Sequence, residues 1–193
     1  MPAGSDSNIF FSTLPATRRD RAIALAVVII SAALFVGAAP FAKTPLTPVP
    51  AFVASYQSAL AVNDLITSVL LYSQFTQLRT RALLLLASGY LFTSVAAVIH
   101  ALTFPGLFAP TGLLHAGPQT TAWLYQIWHG GFPLLALGYA LLKDADGGPK
   151  VRASASQAIL QSVIAVGVAV AIATWVVTAE HDRLSKLLSA SGG

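Results

Sequence analysis

Apolar residues fill five long stretches of this chain, and short segments between them hold almost all of its charge. The stretches run from about Ala22 to Ala42, Ala51 to Phe75, Ala82 to Thr103, Thr121 to Leu142 and Ser156 to Thr178. Each reaches the roughly 20 residues that a helix needs to cross a bilayer. The pattern predicts an all-α fold, a polytopic transmembrane helical bundle of about five spans. Residues 1–20 form an N-terminal segment, 21–179 a transmembrane domain and 180–193 a tail. The first stretch ends in small residues, as a signal peptide does. Its apolar core exceeds the roughly 7–15 residues of such a peptide, and it reads as a retained span.

The connecting segments orient the bundle. Arg18, Arg19, Arg21, Arg79, Arg81, Lys143, Lys150 and Arg152 fall on one side, and Lys43, Arg183 and Lys186 on the other. Basic residues collect on the cytoplasmic side. The N-terminus is therefore expected in the cytoplasm and the tail outside. The expected location is the bacterial cytoplasmic (inner) membrane, with multiple passes. The connector KTPLTPVP (43–50) holds three prolines and reads as stiff and extended. The outer loop FPGLFAPTGLLHAGPQT (104–120) has no Lys, Arg, Asp or Glu and is expected to fold back onto the helix ends. The inner loop KDADGGPKVR (143–152) reads as a plain solvated turn.

Composition narrows the class. Of 193 residues, 55% are hydrophobic and 9% charged, against about a quarter charged in an ordinary soluble domain. Too few charges exist to cover a water-soluble fold, and the apolar content excludes disorder. The absence of cysteine excludes disulfide scaffolds and thiolate or iron–sulfur sites. The net charge of +4 is small and forms no basic patch, so nucleic acid is not an expected partner. No G-x-S-x-G elbow, P-loop or usefully spaced carboxylate pair occurs, so no enzyme is expected.

Polar groups inside the spans are the candidate chemistry. Asp64 lies near the middle of the second span, where a charge is costly unless paired, neutralised or wet. Gln57, Thr67 and Ser68 share its face, and Asn63 adjoins it. Asp64 is either helix glue or a proton or ligand site. In the third span Tyr90, Thr93, Ala97 and His100 share one face. The fourth holds Trp123, Tyr125, Gln126, Trp128 and His129, then Gly130, Gly131 and Pro133. The two tryptophans suit the outer interface. The two glycines allow close approach, and Pro133 leaves the His129 carbonyl without its helical donor. His100, His115 and His129 all lie toward the outer side. They are candidate metal ligands, or His100 and His129 a haem pair, and the alternative is hydrogen-bonded packing. In the fifth span Ala165, Gly167, Ala169 and Ala171 are expected to pack within the same bundle.

Two runs resemble a known family. NDLITSVLLYSQF (63–75) and GYLFTSVAAVIHALTFPGLFAPTGLLHAGPQTTAWLYQIWHGGFPLLALGYALL (89–142) are similar to spans of the fourth class of bacterial membrane-associated sensor domains, the MASE type. The similarity extends from about Arg18 to Ala179. It implies signal perception, most often ahead of a GGDEF diguanylate cyclase and sometimes a histidine kinase. Asn63, Asp64, His100, Pro105, Gly106, Trp123, Trp128, His129 and Pro133 match the family's polar, aromatic and helix-breaking positions. Asn63, Asp64, His100, Trp123, Trp128 and His129 are the candidates for ligand sensing.

Family members carry further spans and an output domain, and here the sequence stops at Gly193. Three accounts stand open: a standalone sensor acting through an output partner on another chain, a fragment, or a five-span bundle whose tail at Leu184 to Leu188 docks on the membrane. A homodimer is open too. The leading reading is a membrane sensor module. The alternatives are a small haem- or metal-binding electron-transfer protein and a transporter component using Asp64.

Overall fold

A computed structural model describes residues 17–44, 49–143 and 150–179. Expectations for residues 1–16, for the middle of the proline-rich connector, for 144–149 and for the tail from 180 lie outside the described residues. The described chain forms five long helices: α1 (Arg18–Ala38), α2 (Pro50–Leu78), α3 (Arg81–Thr103), α4 (Thr120–Lys143) and α5 (Ala155–Ala179). Their positions follow the apolar stretches to within a few residues. Among the described residues no strand occurs.

The chain divides into two compact units, residues 1–48 and 49–193. The first is α1 and a short 3-10 turn (Ala39–Phe41). Thr17 caps α1 reciprocally: its hydroxyl accepts from the Asp20 backbone N–H, and the Asp20 carboxylate accepts from the Thr17 N–H. This capping box satisfies two donors that the first turn leaves free.

The second unit is the bundle of α2 to α5. Among the described residues three helical segments are long and apolar enough to cross a membrane: Arg18–Phe41, α3 and α5. α2 and α4 are long enough too, with 29 and 24 residues, but carry more polar groups.

α3 lies antiparallel to both α2 and α4. Along α2 the covered positions are Gln57, Ala61, Ser68, Tyr72 and Phe75, at the spacing of one helix face. Hydroxyls stitch this face to its neighbours. Ser94 Oγ donates to the Ala61 carbonyl at 2.8 Å, and Ser68 Oγ donates to the Ala87 carbonyl at 2.9 Å. The Tyr72 and Ser162 hydroxyls share a 2.9 Å hydrogen bond, which ties α2 to α5. Two apolar clusters fill the gaps. One joins Ala61, Ala97 and Trp128, and the other joins Phe75, Leu83 and Ala158.

Small residues set the spacing between α3 and α4. A Cβ on Gly131 would come within 2.8 Å of the Phe92 ring, and one on Gly138 within 2.7 Å of Leu85 Cδ2. Gly130 faces open space, so only the second glycine of that pair serves close approach. α5 buries Ala158, Val166, Val170 and Val177. Ala165, Gly167, Ala169 and Ala171 are exposed, and Gly167 has no neighbour within 4 Å of a Cβ. Packing of those four as one stripe is therefore corrected: Ala165 and Ala169 border a gap shared with Leu84 and Leu85 of α3, and Val166, Val170 and Val177 make the buried contact. Large apolar side chains such as Val69, Leu70, Leu134, Leu137, Ile164 and Ile172 face outward. That surface suits lipid and not water.

The corners are more ordered than expected. Arg79 ends α2 with a left-handed φ of 59°, and its N–H donates to the Phe75 carbonyl. Its guanidinium donates to the Ala153 carbonyl and lies 5.7 Å from the centre of the Phe75 ring. Val151 N–H donates to the Arg79 carbonyl at 2.8 Å. The 150–153 half of the inner loop is thus tied to the α2–α3 corner, and is no plain solvated turn. At the opposite end the 104–119 loop does fold back: Leu113 N–H donates to the Leu102 carbonyl at 2.8 Å.

Gly112 makes that fold-back feasible. Its φ is +83°, and a Cβ there would lie 2.2 Å from the Thr103 carbonyl oxygen. Gly112→Ala is expected to lower stability by at least about 1–2 kcal/mol from the left-handed backbone alone, with the clash in addition. Gly130→Ala, in a helix and facing open space, is expected to raise it by up to about 1 kcal/mol. Thermal unfolding of the two variants in mild detergent checks both signs.

Candidate functional site

A cleft large enough to hold a small ligand lies where α2 begins and α3 ends. It measures about 700 Å³. α2 contributes Phe52, Val53, Tyr56 and Gln57, and α3 contributes His100. The connecting loop adds Phe104, Pro105 and Pro118, and α4 adds Thr121, Ala122, Tyr125 and Gln126. Among the described residues no Lys, Arg, Asp or Glu lines it. This size suits an organic ligand, and its mostly apolar wall with a few polar groups is the usual composition of such sites.

Helical spacing builds the walls. Phe52 and Tyr56 sit one turn apart and their rings stack, with centroids 6.2 Å apart and planes 7° from parallel. Loop 104–119 is pinned over the α3 end partly by Thr121, whose hydroxyl donates to the Thr103 carbonyl at 3.0 Å. Thr120 anchors the start of α4. It accepts from Gly117 N–H and donates to the Val177 carbonyl of α5, both at 2.9 Å.

The polar centre of the cleft is a pair. Gln57 Nε2 donates to His100 Nδ1 at 2.5 Å, and each residue is only 6% exposed. An accepting Nδ1 makes His100 a neutral imidazole with its proton on Nε2. Gln57 Oε1 is buried without a hydrogen-bond partner among the described residues. A buried acceptor left so is costly and needs an explanation. Rings surround the imidazole: Phe104, Tyr125 and Trp128 have centroids 5.9, 6.2 and 5.9 Å from it.

The sequence candidates divide. His100 and Pro105 line the cleft. Gly106 bends the loop beside it, with φ +79°. Asn63 is exposed, and its carbonyl accepts from Thr67 Oγ1. Asp64 is half-buried, with no hydrogen bond or ion pair among the described residues, two turns along α2 from Gln57. Trp128 is buried against Ala61 and Ala97, a correction to its expected place at the interface, whereas Trp123 is half-buried. His129 is exposed. Its ring stacks on Tyr125 at 3.8 Å, and Nδ1 donates to the Tyr125 carbonyl at 3.0 Å. His115 is an exposed loop residue in left-handed backbone, φ 55°. Among the described residues no three His, Cys, Asp or Glu side chains gather into a metal-holding group, so His100, His115 and His129 do not form the expected triad. Tyr125 and Trp128 each lie against both His100 and His129.

The site also holds residues that the sequence reading passed over. Gln57 entered only as a neighbour of Asp64, yet it is the direct partner of His100. Phe52 and Tyr56 carried one usable signal, two aromatic residues four apart at a helix start.

A family model described as a membrane-associated sensor, integral membrane domain (MASE4) matches residues 47–191. The chain belongs to the MASE4 family. The match covers all four helices of the bundle and leaves α1 outside, so it starts later than the expected similarity from Arg18. No curated protein and no solved structure matches the chain. The MASE4 portion contains every residue of the cleft.

The Gln57–His100 bond should be measurable as a coupling between α2 and α3. Gln57→Leu and His100→Leu each leave one buried polar group unpaired, and the double variant leaves neither. The double-mutant cycle is expected to give about 0.6–1.7 kcal/mol of coupling, the range for interhelical hydrogen bonds in membranes. Reversible unfolding in detergent or bicelles measures it.

Proposed function

We propose that this MASE4 domain perceives a small molecule in the cleft between α2, α3 and α4 and passes its occupancy along the bundle. The observation that carries this reading is the buried Gln57–His100 pair at the cleft wall, which belongs to two helices at once. An occupant that bonds to either side chain acts on the α2–α3 seam directly. The fold then needs two packings a few kcal/mol apart and a ligand that prefers one.

In this reading all five helices span the inner membrane. α2 and α4 lie antiparallel along α3, which is apolar enough to cross, so they cross with it. The N-terminus and the Arg79–Arg81 corner are cytoplasmic, and the cleft opens toward the outer side. α4 is the moving element. Pro133 leaves the His129 carbonyl without its helical N–H donor and makes a pivot between the cleft half and the cytoplasmic half. The output is a cytoplasmic module of the diguanylate cyclase or histidine kinase kind, and the domain itself is not a catalyst.

The chain has no cysteine, so paired labels can be introduced freely. Spin labels on cysteines at Leu78 and Leu141, both exposed at the cytoplasmic ends of α2 and α4, report the pivot. Ala122→Phe fills the cleft and mimics occupancy. The expected result in lipid nanodiscs is a change of about 1–2 Å or more in the label distance, the scale of helix shifts in switching proteins. An unchanged distance distribution would contradict transmission along α4.

A further inference from the structure

α2 has a second face, beside the one that packs on α3, which the other described residues leave largely open. Tyr56, Leu60, Asn63, Thr67, Leu70 and Gln74 follow one another along it at steps of four and three. That alternation lines up a seam between two helices. Leu60 and Thr67 are half-buried, and the other four are exposed. From Tyr56 to Gln74 the stripe runs about 27 Å at a rise of about 1.5 Å per residue, close to the roughly 30 Å of a bilayer's hydrocarbon core. Asn63 lies next to the middle residue of α2 (Pro50–Leu78), where an unpaired amide in lipid is costly. The hydroxyls around it are already used: Ser68 donates to the Ala87 carbonyl and Thr67 to the Asn63 carbonyl. Among the described residues the Asn63 side-chain amide has no partner, and Asp64 at the edge of the stripe has none.

Whatever covers this stripe must bring hydrogen-bonding groups to the depth of Asn63. Lipid tails bring none. α1 brings one hydroxyl, Ser31, among the apolar residues from Ala22 to Ala38. A hydroxyl has a single donor and cannot serve both the Asn63 carbonyl and the Asp64 carboxyl. A second copy of this chain brings an identical amide at the same depth. An amide carries two donors and a carbonyl, so two of them across a two-fold axis satisfy each other and keep an N–H for Asp64. We propose that two copies of this chain pair along this stripe of α2, in parallel, with their Asn63 amides bonded to each other near the bilayer centre. Resting on the reading that α2 spans the membrane, this goes beyond it by assigning a face and a partner. Tyr56 belongs both to the stripe and to the cleft wall, so the cleft borders the contact between copies.

The test uses the full chain in proteoliposomes. Leu70 lies on the stripe and its neighbour Val69 points away from it, yet their exposure is nearly equal, 59% and 58%. Leu70→Cys and Val69→Cys, each the sole cysteine of its chain, are oxidised with copper phenanthroline. Leu70→Cys is expected to give at least about tenfold more disulfide-linked dimer, because a disulfide needs Cα atoms within about 7 Å and random collision links both positions alike. Energy transfer between labelled copies, followed as lipid dilutes them, reads the affinity. Asn63→Leu is expected to weaken pairing about three- to tenfold, the effect of an interhelical hydrogen bond in a membrane, with helix content unchanged. Should that variant fail to fold, the contrast between Leu70 and Val69 decides alone. Equal linking at the two positions, or monomers at every dilution, would overturn the proposal. So would a disulfide from Leu70→Cys to Ser31→Cys within one chain, which assigns the stripe to α1. Ready reaction of both single cysteines with a membrane-impermeant maleimide would put α2 in water and overturn the spanning reading as well. Dimers linked at Leu70 without any change in the Leu78–Leu141 label distance in Ala122→Phe would support the pairing and contradict the sensor reading. A label shift without such dimers would do the reverse.

Discussion

Inside a lipid slab an apolar side chain gains little by leaving lipid tails for another helix. Close backbone approach and interhelical hydrogen bonds must hold the helices together. The α2–α3 seam is built on that constraint. Its bonds run in antiparallel order from Gln57–His100 through Ala61–Ser94 and Ala87–Ser68 to Tyr72–Ser88. Two of the four use a serine hydroxyl and a main-chain carbonyl, which is a compact and insensitive arrangement. The Gln57–His100 bond joins two long side chains and leaves one polar atom over. The seam is therefore firm along most of its length and chemically open at one end.

The cleft follows from how the chain leaves that end. α3 stops at Thr103, and the loop must return to α4 without charged residues to draw it into water. It folds back instead, through Leu113 to Leu102 and Thr121 to Thr103. Gly112 is the position at which a side chain would prevent this. The returning loop holds Phe104, Pro105 and Pro118 beside the first two turns of α2, and the space between them is lined by rings. α4 connects this space to the other half of the bundle across Pro133 and the close contact of Gly131 with Phe92. Cleft residues and the helix-interior proline thus lie on one element.

Much of the architecture was legible from hydrophobic pattern alone, because the run length that spans a bilayer is also the length of these helices. The shared face of Tyr90, Thr93, Ala97 and His100 on α3 was legible from spacing in the same way. Registry between helices was not. Trp128 reads as an interfacial residue until Ala61 and Ala97 are seen to leave a hollow for it. The small residues of α5 read as a packing stripe, yet the buried contact is made by Val166, Val170 and Val177 beside them. His100, His115 and His129 look like one group because all lie toward the same end, and only the folded loop separates His115 from the others. Gln57 was hidden for a similar reason: its importance lies in a partner 43 residues away.

The link between the cleft and the α2–α3 seam is the Gln57–His100 bond, in which Gln57 Nε2 donates to His100 Nδ1. Nitrogen-15 NMR of histidine-labelled protein in lipid, assigned with His100→Leu, reads this directly. The predicted spectrum has His100 as a neutral ring, with Nε2 protonated and Nδ1 accepting a hydrogen bond. A protonated imidazolium, or the tautomer with its proton on Nδ1, would make Nδ1 a donor that cannot accept from Gln57 Nε2, and would contradict the account.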